Sequence, residues 1–157
     1  MNFRKEISKP FRLKLFFLKR MPLGLLAKLR VDKINDKAAV VSLPFNSINK
    51  NPFKSLYFGA QAMAAELSTG ILAMDAVMAS GLNISMLVFQ MEANFTKKAI
   101  SRVMFECKQG EDIRAAVDKC IQTKEGVVVK VKTVGTDMTG DIVSEFFYTW
   151  TFKLKNK

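Results

Sequence analysis

Residues 56–79 read LYFGAQAMAAELSTGILAMDAVMA, and their reading decides the fold. Glu66 and Asp75 are the only charges in the stretch. Alanine, methionine and leucine dominate, and all favour a helix. Apolar residues fall on every side of that helix, so it must be enclosed. Gly81 and Asn83 follow and end it. The apolar run from Ser55 to Met91 is long enough to cross a bilayer. However, Glu66 and Asp75 lie inside it and Gly81-Leu82-Asn83 interrupts it. It therefore reads as a core helix followed by a strand.

The flanking segments supply the enclosure. Residues 3–21 are amphipathic, with Phe3, Ile7, Phe11, Leu15 and Leu18 near one stripe and a break or late start at Pro10. Extended runs are expected at 27–34 and 38–45, with a turn at Asn35-Asp36-Lys37 and a loop over 46–56. After the long helix, strands are expected at 84–93 and 101–108, then a short amphipathic helix over 111–122. Two further strands follow at 126–134 and 142–155. In the last of these, Phe146, Tyr148, Trp150, Phe152 and Leu154 share one side. An antiparallel sheet of about six strands curled round a long central helix would enclose that helix. This is an α+β hotdog architecture: one domain over 1–157, with an extra N-terminal helix over 1–23 and a central helix over 56–79.

Composition narrows the chemistry. The 157 residues suit one core, and 49% of them are hydrophobic, enough to fill it. The chain contains no histidine, which excludes Ser-His-Asp and Cys-His systems and histidine-based dehydratases. Cys107 and Cys120 form no CxxC pair and lack a histidine to complete a zinc site, so no metal is expected. They read as reduced thiols in a cytoplasmic protein. The net charge of +11 points to an anionic partner. No RNA- or DNA-binding motif accompanies it, so nucleic acid is not expected. The first 26 residues do not read as a secretory signal, because Lys14, Lys19 and Arg20 interrupt the apolar run.

The segment Asn51-Pro-Phe-Lys-Ser-Leu-Tyr57-Phe58-Gly59-Ala60 and onward to Glu66 resembles the signature of the phenylacetate-pathway (PaaI-like) hotdog thioesterases. That signature has Asn, a His-Gly-Gly six residues later, and an acid nine residues after the His. Asn51, Tyr57, Gly59 and Glu66 stand at those spacings. The chain is more similar still to an uncharacterised bacterial branch of that superfamily, a domain of unknown function. This likeness rests on the N-terminal helix, Pro22 before the first strand, and Ser42-Leu-Pro-Phe-Asn46. Two positions depart from the enzymes' pattern: Tyr57 replaces the His, and Phe58 replaces the first Gly.

The resemblance implies acyl-CoA thioester hydrolysis, with no cofactor beyond the coenzyme A of the substrate. Glu66 would be general base or nucleophile, Gly59 the oxyanion donor and Asn51 the positioner. Tyr57, Phe58 and Ala60 would line the substrate pocket. Lys97, Lys98 and Arg102 would receive the phosphates of coenzyme A. Pockets in this family form between subunits, so the resemblance also implies a homodimer or homotetramer. The residues allow this chemistry. A carboxylate in an apolar setting has a raised pKa, and a helix N-terminus offers unpaired N–H groups. They also allow plainer readings, with Asn51 a turn former, Gly59 a packing glycine and Tyr57 a pocket wall. Two other functions stay open: a non-catalytic acyl- or lipid-binding protein on the same scaffold, and a basic membrane-surface protein. For the N-terminal helix, packing against the sheet is expected rather than membrane contact.

Overall fold

The computed structural model describes residues 3–155. In chain order the elements are α1 (Phe3–Ile7), α2 (Pro10–Arg20), α3 (Pro22–Leu26), β1 (Arg30–Ile34), β2 (Ala39–Leu43) and α4 (Phe58–Ser80). They continue with β3 (Ile84–Phe95), β4 (Val103–Cys107), α5 (Gly110–Thr123), β5 (Val127–Asp137) and β6 (Ile142–Leu154).

The helix α4 forms where its composition requires. Thirteen of its residues are buried, on all sides, including Ala64, Ala65, Leu67, Ile71, Leu72 and Ala73. The small alanines let the sheet come close. Gly81 closes the helix at φ 68°, in the left-handed region where a Cβ is costly. The six strands make one antiparallel sheet in the order β1-β2-β4-β5-β6-β3. They bury Val41, Leu43, Val103, Phe105, Val131, Phe146 and Phe152 against α4. α4 is apolar and long enough to cross a membrane by composition, but the sheet already covers most of it.

The alternation expected in β6 is present. Phe146, Tyr148, Trp150 and Phe152 are buried, and Leu154 is half-buried. The turn between β1 and β2 is held by Asn35 Oδ1, which accepts from the N–H groups of Lys37 and Ala38 at 2.9 Å each. Ile113, Val117 and Cys120 turn the inner face of α5 to the core.

Several boundaries differ from the sequence reading. The single helix expected over 1–23 is three helices, and residues 1 and 2 lie outside the described residues. Pro10 and Pro22 each stand at a helix start, where a proline's fixed φ fits and its missing N–H costs nothing. Pro22 therefore opens α3 rather than leading into a strand, and β1 begins at Arg30, not at 27. The central helix begins at Phe58 because Leu56 forms a bridge with Lys50 and Tyr57 is extended. β5 runs on to Asp137 because Thr133, Gly135 and Asp137 continue its inward face.

Two features set the surroundings of the site. β3 is a 12-residue strand at one edge of the sheet, hydrogen-bonded among the described residues only to β6. Leu87, Phe89, Met91 and Phe95 on it are exposed. At the other end of the fold, Arg4 of α1 donates to Asp75 of α4 at 2.9 and 2.6 Å. Asp36 on the β1–β2 turn also accepts from Arg4, at 2.6 Å, and from Arg114 of α5, at 3.0 Å.

Candidate functional site

The loop that delivers the chain into α4 is built from asparagine turns. Asn51 Oδ1 accepts from the N–H of Phe53 at 3.0 Å, the N–H of Ser55 at 3.1 Å and the hydroxyl of Ser55 at 3.2 Å. That oxygen is committed to the turn, so any contact between Asn51 and a ligand falls to its Nδ2. The loop is pinned to its neighbours. The Leu56 N–H donates to Ala99 O at 2.8 Å, and the Tyr57 N–H donates to Asn49 O at 2.7 Å.

Tyr57 is the N-cap of α4 and makes no side-chain capping bond, and the first turn contains no acidic residue. The positive end of the helix is therefore not neutralised by its own sequence. The ring of Tyr57 lies over Gly59, where a Cβ would stand 2.5 Å from Tyr57 Cε1. Gly59 thus has a packing reason to lack a side chain. Tyr57 and Phe58 are both exposed, with ring centroids 4.8 Å apart. Ala60, expected in the substrate pocket, is buried in the core.

In front of this helix end is an open cleft of about 380 Å³, lined among others by Asn51, Phe58, Gln61, Phe95, Lys97 and Lys98. Four of the residues singled out in the sequence therefore meet there. Lys97, expected to meet phosphate, instead sits between Asp137 at 3.2 Å and Asp141 at 2.5 Å. Two carboxylates already balance its charge. Lys98 and Arg102 are exposed.

Glu66 lies elsewhere. It is two turns further along α4, about 10 Å at the helical rise per residue. It does not line the cleft. Its Oε1 comes over Gly70, 3.0 Å from where a Cβ would be, and Trp150 Cζ2 stands 3.4 Å from the same point. Burial pushes the carboxyl up to about 7. No cation pairs with it among the described residues. At neutral pH it is then poised between acid and base, as proton-transfer catalysis requires.

Three residues around Glu66 were not picked out from the sequence. Tyr148 donates from its hydroxyl to Ala62 O at 2.7 Å. Burial, and then the charge of Glu66, hold its phenol well above the usual range. Trp150 Nε1 donates to Thr69 Oγ1 at 3.0 Å, and Thr69 donates in turn to Glu66 O at 2.9 Å. These bonds fix the walls around the carboxylate. For Tyr148 and Trp150 the signal was the one-sided aromatic pattern of β6. Gln61 was also missed. It is buried, donates to Leu56 O at 3.3 Å and accepts from Ser144 Oγ at 2.9 Å, joining the helix start to β6.

Cys107 and Cys120 are buried free thiols, and burial pushes Cys107 up to about 11, far from a nucleophile's range. Among the described residues, no cluster of three potential metal ligands occurs.

The family described as "Domain of unknown function (DUF4442)" matches residues 11–152. Among curated proteins, none matches the chain. Solved structures resemble it over nearly its whole length. One is a Pseudomonas aeruginosa protein of unknown function described as a probable thioesterase. It is 19% identical, with a TM-score of 0.75, and the match covers 96% of this chain and 99% of that one. A Haemophilus influenzae thioesterase is 11% identical, with a TM-score of 0.64 and 95% of each chain covered. A Staphylococcus aureus thioesterase is 18% identical, with a TM-score of 0.63, covering 84% of this chain and 98% of that one. That protein has been solved with a glutamine replaced by alanine, and also with a glutamate replaced by alanine at a position fifteen residues further on. These neighbours have the hotdog fold, and so has this chain.

Proposed function

The chain belongs to the DUF4442 family, and on that premise we propose that it hydrolyses acyl-CoA thioesters in the cytoplasm. The observation that carries this reading is Glu66: a carboxyl with no cationic partner among the described residues, walled by Trp150, with its pKa pushed up to about 7 by burial. The interval between Asn51 and Glu66 adds support. It is fifteen residues, the same as that between the two substituted positions of the S. aureus thioesterase.

Glu66 takes a proton from water as the water oxygen attacks the thioester carbonyl carbon. The tetrahedral oxyanion is received by the N–H groups that open α4, that of Gly59 first. The C–S bond then breaks, and the leaving thiolate takes the proton back from Glu66. The products are a carboxylic acid and coenzyme A. Phe58 and Phe95 border the cleft that would hold the acyl thioester. Lys98 and Arg102 are the exposed cations for the phosphates.

One chain cannot do this alone. A carbonyl within hydrogen-bond reach of Gly59 is about 10 Å along the helix from the Glu66 of the same chain. The reading therefore requires that Gly59 of one copy meet Glu66 of another. The β3 edge, with its unpaired backbone and exposed Leu87 and Phe89, is the surface for that pairing.

The test is thiol release from an acyl-CoA panel, short to long and including aryl, by wild type and Glu66→Gln. A loss of roughly 10²-fold or more in the variant is expected. Unchanged turnover would remove Glu66 from the mechanism. No turnover on any substrate, with lipid co-purifying, would favour the non-catalytic acyl-binding reading.

A further inference from the structure

The N-terminal segment has two apolar faces, and the fold uses only one. Leu13 and Phe17 of α2 are buried against the body. Phe11, Leu15 and Leu18 recur at helical spacing on another stripe and are 79%, 42% and 61% exposed. In α3, Leu23 and Leu26 are 65% and 58% exposed. The segment packs on the body through Phe3, Ile7, Leu13 and Phe17, so of the stripe read from the sequence only Phe3 and Ile7 turn inward, and Phe11, Leu15 and Leu18 stay outside.

The segment that presents this face is strongly basic. Nine of the 25 Lys and Arg residues, and one of the 14 acids, fall in residues 1–30. The stretch thus holds +8 of the net +11. By helical spacing, Lys14 and Lys19 fall on either side of the Phe11–Leu15–Leu18 stripe, and both are exposed. Lys9, Arg20, Lys28 and Arg30 are exposed as well.

We propose that the outer face of α2 and α3 docks this protein on an anionic lipid surface. Apolar side chains flanked by long cations suit the boundary between acyl chains and anionic headgroups, where the cations reach back to the phosphates. The same elements border a cavity of similar chemistry. This cavity, of about 680 Å³, has apolar walls that include Leu13, Phe17 and Leu29 and cations Lys14, Lys28 and Arg30, with Asp32 the acid among its lining. Arg4, held by Asp75 and Asp36, fixes α1 to the body, so the outer face is presented on a firm base. The docking goes beyond the thioesterase reading and does not depend on it.

The test is flotation of the full chain with vesicles of phosphatidylcholine, with and without phosphatidylserine. Two variants accompany wild type: Phe11→Ser with Leu18→Ser, and Lys14→Glu with Lys19→Glu. Wild type is expected to float with phosphatidylserine vesicles, and roughly tenfold less with phosphatidylcholine alone or at high salt. Each variant, folded by circular dichroism, is expected to lose roughly tenfold in partitioning. Absence of flotation by wild type overturns the proposal. So does equal flotation of wild type and both variants. A change in oligomeric mass in the serine variant with flotation unaltered also overturns it, marking the face as a contact between copies.

Discussion

The ring of Tyr57 covers Gly59 so closely that a methyl group there would stand 2.5 Å from Cε1 of the tyrosine. Two explanations of the glycine follow: space for the ring, or space for a carbonyl oxygen beside the N–H. Gly59→Ala alone cannot separate them, because it disturbs both. Gly59→Ala combined with Tyr57→Ala removes the clash while keeping the methyl. If Gly59 serves as oxyanion donor, kcat stays roughly 10²-fold down in the double variant. Recovery of kcat in the double variant would assign the glycine to packing.

Glu66 should make stability depend on pH. Its folded pKa, about 7, lies above the unfolded value of 4.5, so the folded protein binds the proton more tightly. The resulting stabilisation is complete below pH 4.5 and is lost as pH rises to about 7. Glu66→Gln keeps a neutral side chain at every pH. Thermal melting should therefore show the variant close to wild type at pH 4.5 and more stable by up to about 3 kcal/mol at pH 8. In wild type, hydrolysis should rise through pH 7 as the base form fills. Equal pH dependence of melting in both proteins would mean that the carboxyl is not desolvated.

Removing the guanidinium of Arg4 should loosen the N-terminal helices. The Asp75 side chain is only 10% exposed, and the other cation paired with it among the described residues, Arg114, lies 3.7 Å away. Arg4→Ala should cost about 2–3 kcal/mol in denaturant unfolding, since a largely buried carboxylate loses its closest partner. Limited proteolysis should then cut within residues 1–22 before the rest of the chain. Cleavage no faster than in wild type would show that apolar packing alone holds the segment.

The β3 edge should govern both assembly and turnover. Leu87 and Phe89 are 65% and 70% exposed, so Leu87→Lys with Phe89→Lys should leave the monomer fold intact. Charges along the strand oppose edge pairing. The expected outcome is a monomer by light scattering, with hydrolysis reduced in step. A monomeric variant with full turnover would show that one chain suffices.

The sequence by itself determined the fold and its central elements. The 56–79 helix is apolar on all sides, and the strands beside it alternate, so local periodicity already required a sheet wrapped around a helix. Pro10 and Gly81 marked helix ends because their backbone preferences are local. The candidate residues Asn51, Gly59 and Glu66 stood out because they fall at the spacings of the thioesterase signature that the segment resembles.

What only the tertiary structure decided depends on contacts between residues far apart in the chain. It showed that Asp137 and Asp141 neutralise Lys97, that Asn51 commits its oxygen to its own turn, and that Trp150 walls Glu66. It also separated the α4 N-terminal cleft from Glu66 and showed which face of α2 stays outside. A helical stripe records that a face is apolar. Whether that face meets the core or the solvent depends on how the rest of the chain packs, and an amphipathic pattern with two apolar stripes satisfies either arrangement.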